Sequence, residues 1–235
     1  MRALYDIVSF DLDGTLVDTA GEIAEAVNLT LDLHGVARRS EVEISHLIGD
    51  GSRLLMIKLL ARLCVEDPSL SGTLRAEAVL QDFERNLRAT IGSMCMPYGD
   101  AHDALARLKD AGVRLACVTN KEVHHAHSVL QATRLEGLFA MVVGGDSLPY
   151  KKPHASVLRH VVERLGGDRR RAAHVGDSST DMDAARNAGV AAWAVPYGYN
   201  AGVPIADARP HRIFAELMQV ADFVLGHEAP HARRA

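Results

Sequence analysis

The segment from Tyr5 to Asp18, Tyr-Asp-Ile-Val-Ser-Phe-Asp-Leu-Asp-Gly-Thr-Leu-Val-Asp, constrains this chain more than any other. Ile7, Val8 and Phe10 are β-branched or aromatic and predict a buried strand. Asp11, Asp13, Gly14 and Thr15 do not belong inside a sheet, so the strand must emerge at that point, either into a plain polar turn or into a site. Alternate residues of an extended segment point to one side, which brings the Asp11 and Asp13 carboxylates close together. Such a pair is stable when the two groups share a proton, or when each gives an oxygen to a hard divalent cation such as Mg2+.

Beyond Asp18 the hydrophobic period turns helical. Ala20 to His34 carries Ile23, Val27 and Leu31 at spacings of four, and Arg53 to Leu63 and Thr73 to Ile91 are similarly amphipathic. With no strand predicted among them, residues 18–96 form an all-helical insert, expected as a cap over the strand ends, with Pro97-Tyr98-Gly99-Asp100 as the return hinge.

From Ala101 helix and strand alternate. Strands are predicted at Val113–Val118, Phe139–Val143, Ala172–Val175 and Val190–Val195, and helices at Ala101–Ala111, Glu122–Thr133, Ala155–Leu165, Thr180–Ala188 and Arg212–Val220. This alternation implies an α/β fold, a Rossmann-like parallel sheet with helices on both faces, built from residues 1–17 and 97–226. Aromatic residues make up only 5% of the chain, so branched aliphatics and alanine must fill its core. Residues 227–235 are expected to be a disordered tail.

In such sheets ligands bind at the carboxyl ends of the strands, and three more of those ends are polar here. Thr119-Asn120-Lys121 sets a hydroxyl and an amide before a helix, as a helix cap or as donors to phosphate oxygens. Lys151-Lys152-Pro153 offers either solvated surface charge or a fixed point charge for phosphate, with Pro153 opening the next helix. Gly176-Asp177-Ser178-Ser179-Thr180-Asp181 supplies two acids that can approach a cation held by Asp11 and Asp13, although Asp181 also suits a capped helix start.

Acid pair, Thr-Asn, Lys before Pro and Gly-Asp-x-x-x-Asp occur here in the order used by the haloacid dehalogenase superfamily of aspartate-nucleophile phosphatases, which the chain resembles over about 130 residues outside the insert. The resemblance selects Lys152 over Lys151. It implies Asp11 as nucleophile, Asp13 as proton donor and acceptor, phosphate binding by Thr119, Asn120 and Lys152, and Mg2+ held by Asp11, Asp13 (through its backbone carbonyl), Asp177 and Asp181.

The turn at Gly49-Asp50-Gly51-Ser52-Arg53, the Lys151-Lys152-Pro153-His154 segment and Pro196-Tyr197-Gly198-Tyr199-Asn200 resemble bacterial phosphoglycolate phosphatases, apart from Ala155 where that family usually has proline. The implied substrate is a small phosphorylated metabolite, 2-phosphoglycolate first, with Arg53 and the turn before it receiving its second anionic group. Sugar phosphates, N-acetylmuramic acid 6-phosphate and phosphosugar transfer remain open alternatives. A phospho-accepting receiver module is remote, since it would lack the helical insert and be about half as long.

A net charge of −4 and the lack of a basic face argue against nucleic-acid or membrane-surface partners. Three cysteines without Cys-x-x-Cys spacing suit a reducing cytoplasm, the expected location, and the protein is expected as a monomer or homodimer. His124, His125 and His127 are expected on a solvated helix face, since adjacent residues do not share one; Trp193 is expected in the core, and Cys117 buried and inert.

Overall fold

The computed structural model describes residues 3–227, so most of the expected tail, 228–235, lies outside the described residues. The predicted first strand is β1, Ile7–Phe10, fully buried. Beside it run β4 (Arg114–Val118) and β6 (Ala172–Gly176), then β5 (Met141–Val143) outside β4, and β7 (Ala191–Ala194) and β8 (Arg212–Ile213) outside β6. All five pairings are parallel, giving the order β5-β4-β1-β6-β7-β8.

Side chains alternate along these strands, so each face of the sheet acquires its own core. Val8, Phe10, Leu115, Cys117, Ala173, Val175 and Trp193 face α6 (Ala101–Asp110), α7 (Val123–Ala132) and α10 (Leu217–Leu225). Ile7, Ala116, Val118, Ala172, Ala192 and Ala194 face α8 (Ala155–Arg164) and α9 (Ser179–Ala188). Trp193 is buried as expected, meeting Tyr5, Phe214 and Phe223 edge-to-face at ring separations of 4.6, 5.6 and 5.4 Å.

The insert contains α1 (Ala20–Leu33), α2 (Glu41–Ser45), α3 (Ser52–Glu66), α4 (Leu70–Thr73) and α5 (Ala76–Thr90). Ile23, Val27, Leu31, Leu55, Leu59, Phe83 and Leu87 close a third apolar cluster that is separate from the two against the sheet. A short antiparallel ribbon of β2 (Val17–Asp18) and β3 (Met96–Pro97) carries the chain out to the insert and back. No helix among the described residues is long and apolar enough to cross a membrane.

Two sequence expectations are corrected. The helix expected from Arg212 starts only at Leu217, because Arg212 and Ile213 pair with Trp193 and Ala194 as the edge strand, Phe214 packs into the aromatic cluster, and the Arg212 guanidinium lies 3.9 Å over the Phe223 ring. Pro153 does not open α8; His154 caps it, its Nδ1 accepting the Ser156 backbone N–H at 3.2 Å. Replacing Trp193 with Ala, which empties the largest buried side chain of its cluster, should cost about 3–5 kcal/mol in denaturant unfolding. A loss below about 1 kcal/mol would mean the aromatic cluster is not part of the cooperative core.

Candidate active site

Register decides which side chains meet. Phe10 pairs with Cys117 on one side and Val175 on the other, so Asp11 emerges level with the ends of β4 and β6. Its backbone N–H still bonds the Val175 carbonyl at 2.9 Å, which anchors it to the sheet. Thr119 and Asp177 follow at the neighbouring ends, and the first turn of α9 brings in Asp181.

Lys152 joins these acids. Its Nζ is 2.9 Å from Asp11 Oδ1, 2.7 Å from Asp181 Oδ1 and donates to the Val118 carbonyl at 2.7 Å, so the ammonium is satisfied although only 2% of the residue is exposed. Burial alone would lower the Lys152 pKa, but Asp11 and Asp181 outweigh it and push the value up. Asp11 Oδ1 also accepts the Leu12 N–H at 2.7 Å, while no hydrogen bond to Asp11 Oδ2 is found among the described residues.

Asp177 is fixed from two sides, by the Thr15 hydroxyl at 2.9 Å and the Tyr199 N–H at 2.6 Å. Gly14 and Gly198 press against it, and a Cβ at either position would collide with its carboxylate. Asp181 serves the helix start, one of the two uses the sequence suggested, and has a further use that it did not. It completes a capping box with Ser178, and it holds Lys152 and His174.

Behind Asp181 lies a pair that sequence reasoning missed. An ionised Asp181 can only accept, so His174 Nε2 donates to it at 3.1 Å, and Nδ1 of the neutral ring lies 2.9 Å from the Ser9 hydroxyl, whose single hydrogen is shared with the Ala173 carbonyl at 3.1 Å. Burial lowers the His174 pKa, which favours the neutral ring. The available signal was a Ser and a His inside otherwise apolar strands, and the two are direct register partners.

Carboxylate oxygens of Asp11, Asp177 and Asp181 all lie within 4.8 Å of one another. Three buried acids face a single buried ammonium, and the shortage of positive charge shows in their protonation. Burial first, offset in part by Lys152, then the other two acids, push Asp11 up to about 8. Burial and Asp181 push Asp177 up to about 7. Asp181 goes the other way, because Lys152 and His174 outweigh its burial and hold it well below the usual range. An all-oxygen, electron-rich cluster short of positive charge fits a hard divalent cation such as Mg2+.

The Asp13 carboxylate stands apart from that cluster. Lys121 holds it at 2.9 and 3.1 Å, and the Thr19 hydroxyl donates to it at 2.7 Å. Lys121, only 5% exposed, was also missed, although it directly follows the singled-out Thr119-Asn120 pair. Neither Thr119 nor Asn120 caps a helix, since α7 starts at Val123 with Glu122 as its N-cap. Both Asn120 amide hydrogens go to carbonyls, Gly49 at 3.0 Å and Lys152 at 3.1 Å, so in this state the side chain braces the insert against the Lys152 loop. Thr119 Oγ1 accepts the Lys121 N–H at 3.2 Å.

A cavity of about 30 Å3 opens on Asp11, Asp13, Thr119, Asn120 and Lys121 and is roofed by Ile23, Ile48, Gly49, Gly51, Ser52, Leu55 and Leu87 of the insert. Arg53 does not reach it. That side chain is mostly exposed and meets Glu77 at 3.4 Å across a separate outer groove, so Ser52 and Lys121 occupy the place expected for it.

Residues 8–195 match the family described as haloacid dehalogenase-like hydrolase. The phosphoglycolate phosphatase of Vibrio vulnificus is 34% identical over 93% of this chain and 96% of its own length. That of Psychrobacter arcticus is 35% identical over 93% and 95%. The crystal structure of a predicted phosphoglycolate phosphatase from Haemophilus somnus superposes with a TM-score of 0.86 at 30% identity, over 94% of this chain and 98% of that one.

The shifted acids predict a pH-dependent response to metal. Asp11 and Asp177 keep protons in the folded protein up to about 8 and 7, and lose them near 4 when unfolded, so their stabilisation is present at low pH and disappears as pH rises through 7 to 8. In EDTA the melting temperature should therefore fall between pH 7.5 and 8.5, above most of the range where unfolded histidines titrate. Mg2+, which competes with those protons, should raise it by an increment that grows over the same interval. An increment independent of pH would show that these acids do not bind the metal.

Proposed function

Because the chain belongs to the haloacid dehalogenase-like hydrolases and is a phosphoric monoester hydrolase, we propose that it converts 2-phosphoglycolate to glycolate and phosphate, with Mg2+ as cofactor and Asp11 as the nucleophile. The observation that carries this reading is the setting of Asp11: buried, oriented through Oδ1 by Lys152 and Leu12, and opening with Asp13 onto a cavity closed by the insert. Asp11, Asp177 and Asp181 would hold the cation. When bound, it offsets the negative charge that gathers as a carboxylate meets a phosphate dianion.

A carboxylate oxygen of Asp11 attacks phosphorus, forming the acyl-phosphate O–P bond as the substrate's own ester O–P bond breaks. Asp13 gives its proton to the departing oxygen, then takes one from the water that hydrolyses the phosphoryl-aspartate and releases phosphate. Lys121 and Thr19 fix the orientation of Asp13 between those steps. Thr119 has its hydroxyl hydrogen to offer a phosphate oxygen, while Lys152 holds Asp11 in place and opposes the rise that burial gives its pKa.

The cavity also favours a substrate class. Asp11, Asp13 and Lys121 are its only charged lining residues among those described, so Lys121 is the cation there that can meet a second anionic group. Opposite stand Ile23, Ile48, Leu55 and Leu87, which would leave the hydroxyls of a sugar unpaired. A short phosphorylated acid satisfies both sides.

Phosphate release from 2-phosphoglycolate should exceed release from sugar phosphates and N-acetylmuramic acid 6-phosphate, and should vanish in EDTA. Asp11→Asn should lower turnover by roughly 10^3-fold or more, as expected for removal of a nucleophile. Lys121→Met should raise KM for 2-phosphoglycolate roughly 10-fold beyond any change with p-nitrophenyl phosphate, the size of one charge-assisted hydrogen bond. Equal KM changes for the two esters would remove Lys121 from substrate recognition.

A further inference from the structure

The three-histidine segment of α7 behaves differently from a solvated face. His125 is 1% exposed, and His124 lies against it with ring centroids 3.9 Å apart and planes inclined at 42°. Adjacent residues at the start of a helix do converge here, because both rings turn toward Glu84 of α5. His124 Nε2 lies 3.6 Å and His125 Nε2 3.3 Å from Glu84 Oε1. His125 Nε2 is nevertheless buried without a hydrogen-bond partner, since the carboxylate oxygen lies off the direction a hydrogen bond requires. A polar nitrogen in that state is destabilising unless something else occupies its lone pair.

We propose that Glu84, His124 and His125 form a second metal site, selective for a borderline transition ion such as Zn2+, which staples the helical insert to the α/β core. One candidate ligand atom from each residue lies within 4.8 Å of the other two. A tetrahedral Zn2+ with bonds of about 2.0–2.1 Å places its ligands about 3.3–3.4 Å apart, close to the 3.6 and 3.3 Å that already separate the two histidine nitrogens from Glu84 Oε1. Two imidazoles and one carboxylate suit Zn2+ far better than Mg2+, which prefers oxygen alone.

Burial, and then the neighbouring His124, lower the His125 pKa, so the ring is neutral and available as a ligand near pH 7. The Arg88 Nε–H, which donates to Glu84 Oε1 at 2.9 Å, must withdraw, and its largely exposed side chain is free to do so. Glu84 belongs to α5 of the insert and the histidines to α7 beside the sheet, so a bound ion ties together the two bodies that enclose the cavity.

The test is Zn2+ binding to the full-length protein with Mg2+ held saturating, followed by calorimetry and by visible absorption of a Co2+ substitute. One Zn2+ should bind wild type. His124→Ala/His125→Ala should weaken that binding at least roughly 10-fold and abolish the tetrahedral Co2+ bands. Because His125 is packed in the seam, the exposed His124→Ala and Glu84→Gln are measured separately and should each weaken binding. With Mg2+ present, Zn2+ should slow phosphate release by wild type and leave His124→Ala unaffected. Failure of wild type to take up Zn2+, or uptake unchanged by the histidine substitutions because it occurs at the acidic cluster, overturns the proposal; the binding readouts stand whichever phosphate ester proves to be the substrate.

Discussion

The buried ammonium of Lys152 is the contact on which the site depends. Without it, Asp11 and Asp181 would face each other as uncompensated charges in a dry interior, a penalty of several kcal/mol per ion. With it, Asp181 stays ionised and anchors both Lys152 and His174, while Asp11 is held at the end of β1 with one oxygen unengaged. The sheet register sets these distances, since β1, β4 and β6 end level and each hands one polar residue to the same small volume. The arrangement still lacks positive charge, as the raised values of Asp11 and Asp177 show, and that deficit is what a divalent cation would fill.

Much of this was legible in the sequence because the signals were local. An apolar run ending in Asp11 and Asp13, and Gly176-Asp177 at another strand end, identify themselves by breaking a strand pattern. What could not be read depends on direction in space. Asp13 turns to Lys121 instead of toward Asp177, Asn120 spends its amide on Gly49 and Lys152, and Arg53 turns outward to Glu77. Neighbours along the chain thus part company, while Ser9 and His174, 165 positions apart, meet by register. The edge strand at Arg212 escaped for a different reason: two residues are too few to show a period.

The insert is more than a roof. Tyr199, in the loop after β7, receives the N–H groups of Thr19 and Ala20 at 2.9 and 3.1 Å and donates its hydroxyl to Asp18, so it caps α1 where the chain leaves the ribbon. The same residue's backbone N–H holds Asp177. Departure of the insert and placement of an acidic residue are thereby linked through one side chain and its own backbone. Since a cavity of about 30 Å3 holds little more than a few water molecules on the same measure, substrate entry requires the insert to move.

The central claim is that Asp11 itself carries the phosphoryl group. The most direct test is acid quenching during turnover of 2-phosphoglycolate by Asp13→Asn, in which water activation is slowed, followed by borohydride reduction and mass spectrometry of the peptide spanning Ile7 to Asp18. The account predicts homoserine at position 11 and nowhere else. Unmodified Asp11 in enzyme that is still releasing phosphate, or reduction at any other aspartate, would contradict it.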